Sequence, residues 1–101
     1  MRRVARLGDR ALALVKCGKK LRWVSGRISR GSANTFAEGR PVARHVDKVR
    51  LGCAKTGRIA YNVARKTLVN FRRVALIFSG IIGPGIVRGY VIQAARSVYA
   101  G

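Results

Sequence analysis

The chain contains 101 residues, with 22 Lys and Arg against 3 Asp and Glu, so its formal net charge is +19. Hydrophobic residues make up 49% of the chain, which excludes a disordered basic tail, and the length allows one domain with a small core. Arg outnumbers Lys, and an isolated domain of this charge repels itself. We therefore expect an anionic partner, namely RNA, an anionic membrane or a large assembly.

Residues 1–24 have the pattern of a basic amphipathic helix. Apolar residues recur at spacings of three and four and are interspersed with Arg and Lys. These apolar residues are Val4, Leu7, Ala11, Leu14, Val15 and Leu21. An Arg-rich, acid-poor helix at the N-terminus is also typical of a mitochondrial import signal, so we predict an uncleaved signal that doubles as structure. The alternative is a basic helix that lies on RNA or on lipid headgroups.

Residues 25–53 predict an extended basic loop or arm that contains one short helix. Gly26, Gly31, Gly39 and Pro41 break the periodicity, whereas residues 42–51 space three valines along one helical face. Residues 54–73 then predict a second basic amphipathic helix without any acidic residue. A helix of this kind needs an anionic surface beside it.

Residues 74–95 carry the strongest hydrophobic signal. Val74 to Val87 is a run of 14 uncharged residues directly behind Arg72 and Arg73, and its extension to Ala95 spans about 33 Å as a helix. We predict one transmembrane helix, kinked at Pro84, with its N-terminal side towards the matrix. The alternative is a pair of buried strands or helices joined by the Gly-Pro-Gly turn. The fold class is thus predicted to be mainly α, with a short tail at 96–101.

Two sets of site residues follow from this helical interpretation. Small residues on one face would allow close packing against neighbouring membrane helices, and they are Ala75, Ser79, Gly83, Gly85 and Gly89. Exposed basic residues near the span would contact anionic lipid or phosphate, and they are Arg58, Arg65, Lys66, Arg72, Arg73 and Arg88.

The residues that could support catalysis or metal binding are few. Asp9, Glu38, Asp47 and His45 form no arrangement typical of acid–base catalysis, so we predict neither an enzyme nor a cofactor. Cys17 and Cys53 lie far apart in the sequence and have the character of ordinary small apolar residues. A single bridge between them requires an oxidising compartment.

In layout, the chain resembles the small supernumerary subunits of mitochondrial respiratory complexes or of the ATP synthase. The similarity lies in the basic N-terminal segment and in ARKTLVNFRR, which leads directly into VALIFSGIIGPGIV. The resemblance implies a non-catalytic inner-membrane subunit that crosses the bilayer once, braces neighbouring subunits of a large complex and binds cardiolipin.

Two other functions remain open from the sequence. A small basic ribosomal protein, most plausibly mitochondrial, would use the arm within residues 25–50 to bind rRNA through phosphate neutralisation. The third hypothesis, after the membrane subunit and the ribosomal protein, is a cationic membrane-active or virion-core peptide. In each case the chain is not expected to act as a free monomer.

Overall fold

The computed structural model describes residues 2–100, and all regular structure in that range is β-strand. The twelve strands are β1 (Arg2–Arg3), β2 (Arg10–Cys17), β3 (Lys20–Ile28), β4 (Phe36–Ala37), β5 (Arg40–Pro41), β6 (Lys48–Leu51), β7 (Thr56–Tyr61), β8 (Leu68–Val69), β9 (Arg72–Arg73), β10 (Gly80–Ile82), β11 (Ile86–Val91) and β12 (Tyr99–Ala100). The prediction of a mainly α fold is therefore wrong.

Six strands form a closed antiparallel barrel in the order β10-β11-β2-β3-β6-β7. Strands β2 and β3 form its longest hairpin, with pairs from Arg10↔Arg27 to Cys17↔Lys20. Side chains alternate across each strand, so Ala11, Ala13 and Val15 of β2 point inward and are fully buried. Small side chains fit this position because the interior of a six-stranded barrel is narrow.

The other six strands form three short antiparallel pairs, which we call the cap pairs. The pairs β4–β5 and β8–β9 are hairpins, whereas β12–β1 joins strands from the two ends of the described chain. Buried residues form two clusters, one inside the barrel and one beneath the cap pairs. We call the end of the molecule formed by these pairs the cap end. The opposite end, formed by the barrel turns at 18–19, 52–55 and 83–85, is the turn end. The molecule is elongated, with extents of 39 × 23 × 21 Å.

The predicted helices over 1–24 and 54–73 are replaced by strands and tight turns. Strand β2 carries apolar side chains on both faces, and such a run satisfies a spacing of three and four as well as a spacing of two. Backbone conformation at the glycines distinguishes strand from helix in this segment. Gly8 and Gly18 adopt φ of 85° and 65°, which end a helix and fit tight turns. In the second segment, Asn62, Asn70 and Phe71 also have positive φ.

The predicted transmembrane helix over 74–95 is likewise absent. Residues 74–76 cross the cap end, residues 77–79 turn, and β10 and β11 follow as a hairpin around residues 83–85. The described residues contain no helix of the length and apolarity needed to cross a bilayer. The apolar run instead supplies core, since Val74, Ile81 and Val91 are each at most 1% exposed. The alternative of two strands joined by the Gly-Pro-Gly turn describes this segment correctly.

The predicted arm at 25–53 is part of the folded structure. Strand β3 continues to Ile28, β4, β5 and β6 follow, and the predicted short helix over 42–51 is a turn that leads into β6. Cys17 and Cys53 are bonded, with Cα atoms 5.9 Å apart, which joins β2 to the β6–β7 turn at the turn end. The first interpretation, two ordinary apolar cysteines, is therefore wrong, and the alternative of a single bridge describes them correctly.

Candidate functional site

The centre of the cap end is a ring of three backbone hydrogen bonds. The N–H of Ala43 donates to the carbonyl of Ala5 (2.9 Å), that of Ala75 to Ala43 (3.0 Å) and that of Ala5 to Ala75 (2.9 Å). All three residues are fully buried. Because each segment donates to one neighbour and accepts from the other, the ring defines a pseudo-threefold axis.

The segments around this ring, residues 4–9, 42–47 and 74–79, repeat the same hydrogen bonds. In each segment, the residue two positions after the ring alanine donates its N–H to a backbone carbonyl. That carbonyl belongs to the residue directly before one of the other two turn segments. These bonds are Leu7 to Pro41 (2.8 Å), His45 to Arg73 (2.7 Å) and Ile77 to Arg3 (2.8 Å). The chain is thus built from three structural repeats, each with one turn segment, one barrel hairpin and one cap pair, and the cap pair of the third repeat is completed by β1.

Buried carboxylates close the turn segments of the first two repeats. Asp47 accepts hydrogen bonds from the Arg44 N–H (2.8 Å), the Arg44 Nε (3.0 Å) and the Arg72 Nη1 (3.1 Å). Asp9 is held in the same way by Arg6 and by Arg40, whose Nη2 is 2.9 Å away. Both carboxyl groups are fully buried, and their partners are guanidinium and backbone N–H groups. These two acids therefore serve to hold the turns.

The third acidic residue, Glu38, joins the β4–β5 hairpin to the segment that precedes β12. Its carboxylate accepts from the Arg6 Nη1 (2.8 Å), the Arg96 N–H (3.0 Å) and the Ser97 hydroxyl (2.9 Å). The bond from the Arg96 N–H, followed by that from Ser97, lowers the pKa of Glu38 from its ordinary value of 4.5. In residues 2–100, the only basic side chains within salt-bridge distance of a carboxylate are Arg6, Arg40, Arg44 and Arg72.

The three cap pairs present the same exposed apolar position. Phe36, Leu68 and Tyr99 begin β4, β8 and β12 and are 58%, 57% and 52% exposed. Each pairs with the residue that precedes the next turn segment, in the pairs Phe36↔Pro41, Leu68↔Arg73 and Tyr99↔Arg3. Directly paired residues project from the same side of two strands, so we call these six residues the cap face. The other paired arginines, Arg2, Arg40 and Arg72, lie opposite the inward-facing Ala100, Ala37 and Val69 and so project from the other side.

A groove of about 640 Å³ adjoins the second hairpin of the cap pairs, β8–β9. We call it the second-hairpin groove, and its lining residues are His45, Ala60, Tyr61, Asn62, Val63, Arg65, Leu68, Phe71, Arg72 and Arg73. Phe71 is 99% exposed and Tyr61 is 48% exposed. Three arginines and two accessible aromatic rings therefore converge on one concave surface.

The six basic residues that the sequence nominated are all exposed but do not form one site. Arg65, Arg72 and Arg73 line the second-hairpin groove, while Lys66 lies in the loop before β8. Arg58 and Arg88 lie on barrel strands, opposite Ile82 and Leu14 respectively. Only half of the nominated set is thus brought together.

The five small residues nominated for helix packing lie in a β structure, so a helix-packing role does not apply to them. Ala75 belongs to the ring at the axis, and the Ser79 hydroxyl accepts from the Leu76 N–H (2.8 Å). Gly89 lies against Ala13, where an added Cβ would be 3.0 Å from the Ala13 Cβ. Gly83 and Gly85 form the β10–β11 turn, in which Gly85 has a φ of 76°.

Metal binding has no visible basis in the part of the chain that the structure describes. Within residues 2–100, no three His, Cys, Asp or Glu side chains lie close enough to hold an ion. Cys17 and Cys53 are engaged with each other.

The threefold organisation was missed at the level of sequence, although a signal for it exists. Val-Ala-Arg-Leu-Gly-Asp at 4–9 returns as Val-Ala-Arg-His-Val-Asp at 42–47. The third copy, Val-Ala-Leu-Ile-Phe-Ser at 74–79, retains only the first two residues and lies inside the apolar run. A search for internal repeats would have paired the first two copies and weakened the helical interpretation of both.

The chain matches no model of a protein family and no curated protein sequence at a significant level.

Proposed function

We propose that this chain is a non-catalytic structural subunit that docks through its cap face onto the threefold axis of a homotrimeric protein with an acidic surface. The observation that supports this proposal is the repetition of one exposed apolar position, Phe36, Leu68 and Tyr99, around the axis of the alanine ring. The proposal keeps the structural role expected from the sequence and replaces the membrane span by a docking surface.

The symmetry of such a partner makes one chain per trimer the natural complex. A homotrimer presents three copies of any surface patch around its axis. A single chain with three equivalent patches contacts all three copies at once, so each contact after the first forms at a high effective concentration. A partner without threefold symmetry would meet only one of the three patches in the same way.

The chemistry of the cap face also suits a protein partner. Aromatic residues and Arg are enriched at protein interfaces, and this face carries two aromatic rings, Phe36 and Tyr99, and two arginines, Arg3 and Arg73. The net charge of +19 favours an acidic partner, because opposite charges steer the encounter and like charges prevent self-association. The alternative of rRNA binding explains the charge but has no use for three repeated apolar positions.

Site-specific photocrosslinking tests this proposal in the organism that encodes the chain. Phe36, Leu68 and Tyr99 would be replaced one at a time by p-benzoylphenylalanine. Leu21 and Ile82, each 54% exposed and located on barrel strands, provide the matched controls. We expect the three cap positions to crosslink to equivalent sites on one partner, and native mass spectrometry to find one chain bound to three copies of it.

A triple serine variant supplies the complementary measurement. Replacement of Phe36, Leu68 and Tyr99 by serine should release the chain from the trimer. The same change at Leu21, Ile82 and Val87, which are equally exposed on the barrel, should leave the complex intact. A partner that is not trimeric, or equal crosslinking from the cap and barrel positions, would refute the proposal.

A further inference from the structure

Phe71 has a backbone conformation that is energetically unfavourable for a residue with a large side chain. The two-residue turns of β4–β5 and β8–β9 both have positive φ at their central residues, as a type I′ turn requires. In the first hairpin these residues are Glu38 (51°) and Gly39 (80°), and in the second they are Asn70 (52°) and Phe71 (65°). A bulky residue with positive φ is strained where glycine is not.

The side chain of Phe71, whose backbone is strained, is not buried against the rest of residues 2–100. It is 99% exposed, so the fold gains almost nothing from burying it. Glycine at this position would relieve the backbone strain, as it does at Gly39. A feature that costs stability and contributes no packing indicates a contact outside the chain.

The residues around Phe71 indicate which kind of molecule would contact it. Arg65 and Arg73 line the same groove, and neither forms a salt bridge with any described carboxylate. Arg72, which also lines it, already binds a carboxylate, that of Asp47 at 3.1 Å. The planar guanidinium group pairs with carboxylates through two parallel hydrogen bonds, so the groove is suited to anionic side chains.

We propose that the second-hairpin groove binds an acidic peptide segment that carries an aromatic side chain. Its carboxylates would pair with Arg65 and Arg73, and its ring would pack against Phe71 and Tyr61. This inference rests on the proposed function in one respect, namely that the trimeric partner supplies the segment.

The lining favours a peptide over single-stranded nucleic acid. Nucleic-acid sites of this size combine basic residues with aromatic platforms on which successive bases stack. This groove also contains Leu68 and Val63, whose branched side chains suit contact with another side chain better than contact with a flat base. Leu68 is also one of the three apolar residues of the cap face. The groove therefore continues into the surface that we propose binds a protein.

Binding of defined polymers to the isolated full-length chain tests this inference without knowledge of the partner. The probes are poly-glutamate and a random copolymer of glutamate and tyrosine of similar length, each labelled for fluorescence anisotropy at one fixed salt concentration. We expect the copolymer to bind more tightly. In the Phe71→Gly variant, that preference should fall by about tenfold, as for an aromatic residue at the centre of an interface.

Charge-matched variants separate the groove from the general positive charge. Arg65→Gln combined with Arg73→Gln should weaken binding of both polymers. Arg58→Gln combined with Arg88→Gln removes the same charge from exposed barrel positions and should have a smaller effect. The melting temperature of Phe71→Gly should equal or exceed that of the wild type, which shows that any lost affinity does not come from unfolding.

Three results would overturn the inference. They are an unchanged preference in Phe71→Gly, equal losses in the two arginine pairs, or oligo(dT) binding that is tighter than copolymer binding and depends on Phe71. The last result would identify a nucleic-acid site instead. Because these measurements use the isolated chain, their failure leaves the crosslinking result for the trimer unaffected, and failure to find a trimer leaves them unaffected.

Discussion

Ser79 occupies in the third repeat the position that Asp47 occupies in the second. The Asp47 carboxylate accepts the Arg44 N–H at 2.8 Å, and the Ser79 hydroxyl accepts the Leu76 N–H at the same distance. The partner changes together with the acceptor, because Leu76 replaces the arginine whose side chain also binds Asp47. One backbone bond is thus kept in each repeat, while the ion pair occurs in only two of them.

This relationship predicts unequal effects of removing the two acceptors. Asp47→Ala leaves the buried Arg44 guanidinium without its carboxylate and should lower the free energy of unfolding by about 3–5 kcal/mol. Ser79→Ala leaves the Leu76 N–H without its acceptor and removes the hydroxyl bond to the Asn62 carbonyl, which still accepts from Arg2, and should cost about 1–3 kcal/mol. Urea denaturation of both variants measures the difference, and a larger loss for Ser79→Ala would contradict this account of the turns.

The bond between Cys17 and Cys53 should stabilise the turn end. It closes a loop with a sequence separation of 36 residues, which corresponds to about 3–4 kcal/mol of reduced entropy in the unfolded chain. We expect a reducing agent to lower the melting temperature of the wild-type protein. The double variant Cys17→Ser with Cys53→Ser should melt at that lower temperature with or without reductant. A wild-type melting temperature that does not respond to full reduction would argue against the stabilisation.

Close packing of the barrel strands predicts a severe effect at Gly26. A Cβ added there would overlap the carbonyl oxygen of Arg50 on the neighbouring strand β6, and the backbone cannot rotate away as a side chain can. Gly26→Ala should therefore destabilise the protein by about 3 kcal/mol or more. Gly89→Ala is the milder comparison, since its Cβ would meet the Ala13 Cβ at 3.0 Å, and we expect a loss of about 1 kcal/mol. Thermal unfolding of the two variants checks the order of these effects.

The position of Glu38 predicts an acid-sensitive link between the β4–β5 hairpin and the segment that precedes β12. Its pKa is lower in the folded protein than its ordinary value of 4.5, because it accepts hydrogen bonds from the Arg96 N–H and from Ser97. A lowered folded-state pKa means that the stabilisation is fully present above 4.5 and is lost as the pH falls through the folded-state pKa.

Unfolding of the wild type and of Glu38→Gln across this acidic range measures the effect. The difference in stability between them should shrink as the pH falls, since glutamine does not titrate. If the difference in stability between the wild type and Glu38→Gln stays constant with pH, the charge of the Glu38 carboxylate does not stabilise its contacts with Arg96 and Ser97.

Several features of the fold were predictable, in part, from particular residues. The Gly83-Pro84-Gly85 sequence forms a turn of the barrel, and the sequence interpretation placed a kink at Pro84 with a turn as its alternative. Strand β2 was not recognisable, because Leu14 on its outer face completes a helical spacing with Ala11 and Val15 on the inner face. The second-hairpin groove was not predictable, because it brings Arg65 and Arg73 beside His45, which lies far from them in the chain.

The sequence by itself determined the excess of positive charge and the scarcity of acidic groups, since these depend only on composition. The expectation of an anionic partner rests on that charge. Whether its apolar residues formed helices or strands was decided by tertiary structure. No single repeat buries its own apolar face, and the ring of Ala5, Ala43 and Ala75 satisfies the backbone only when all three repeats are present. The cap face is likewise a product of closure, because Phe36, Leu68 and Tyr99 lie far apart in the chain and become equivalent only around that ring.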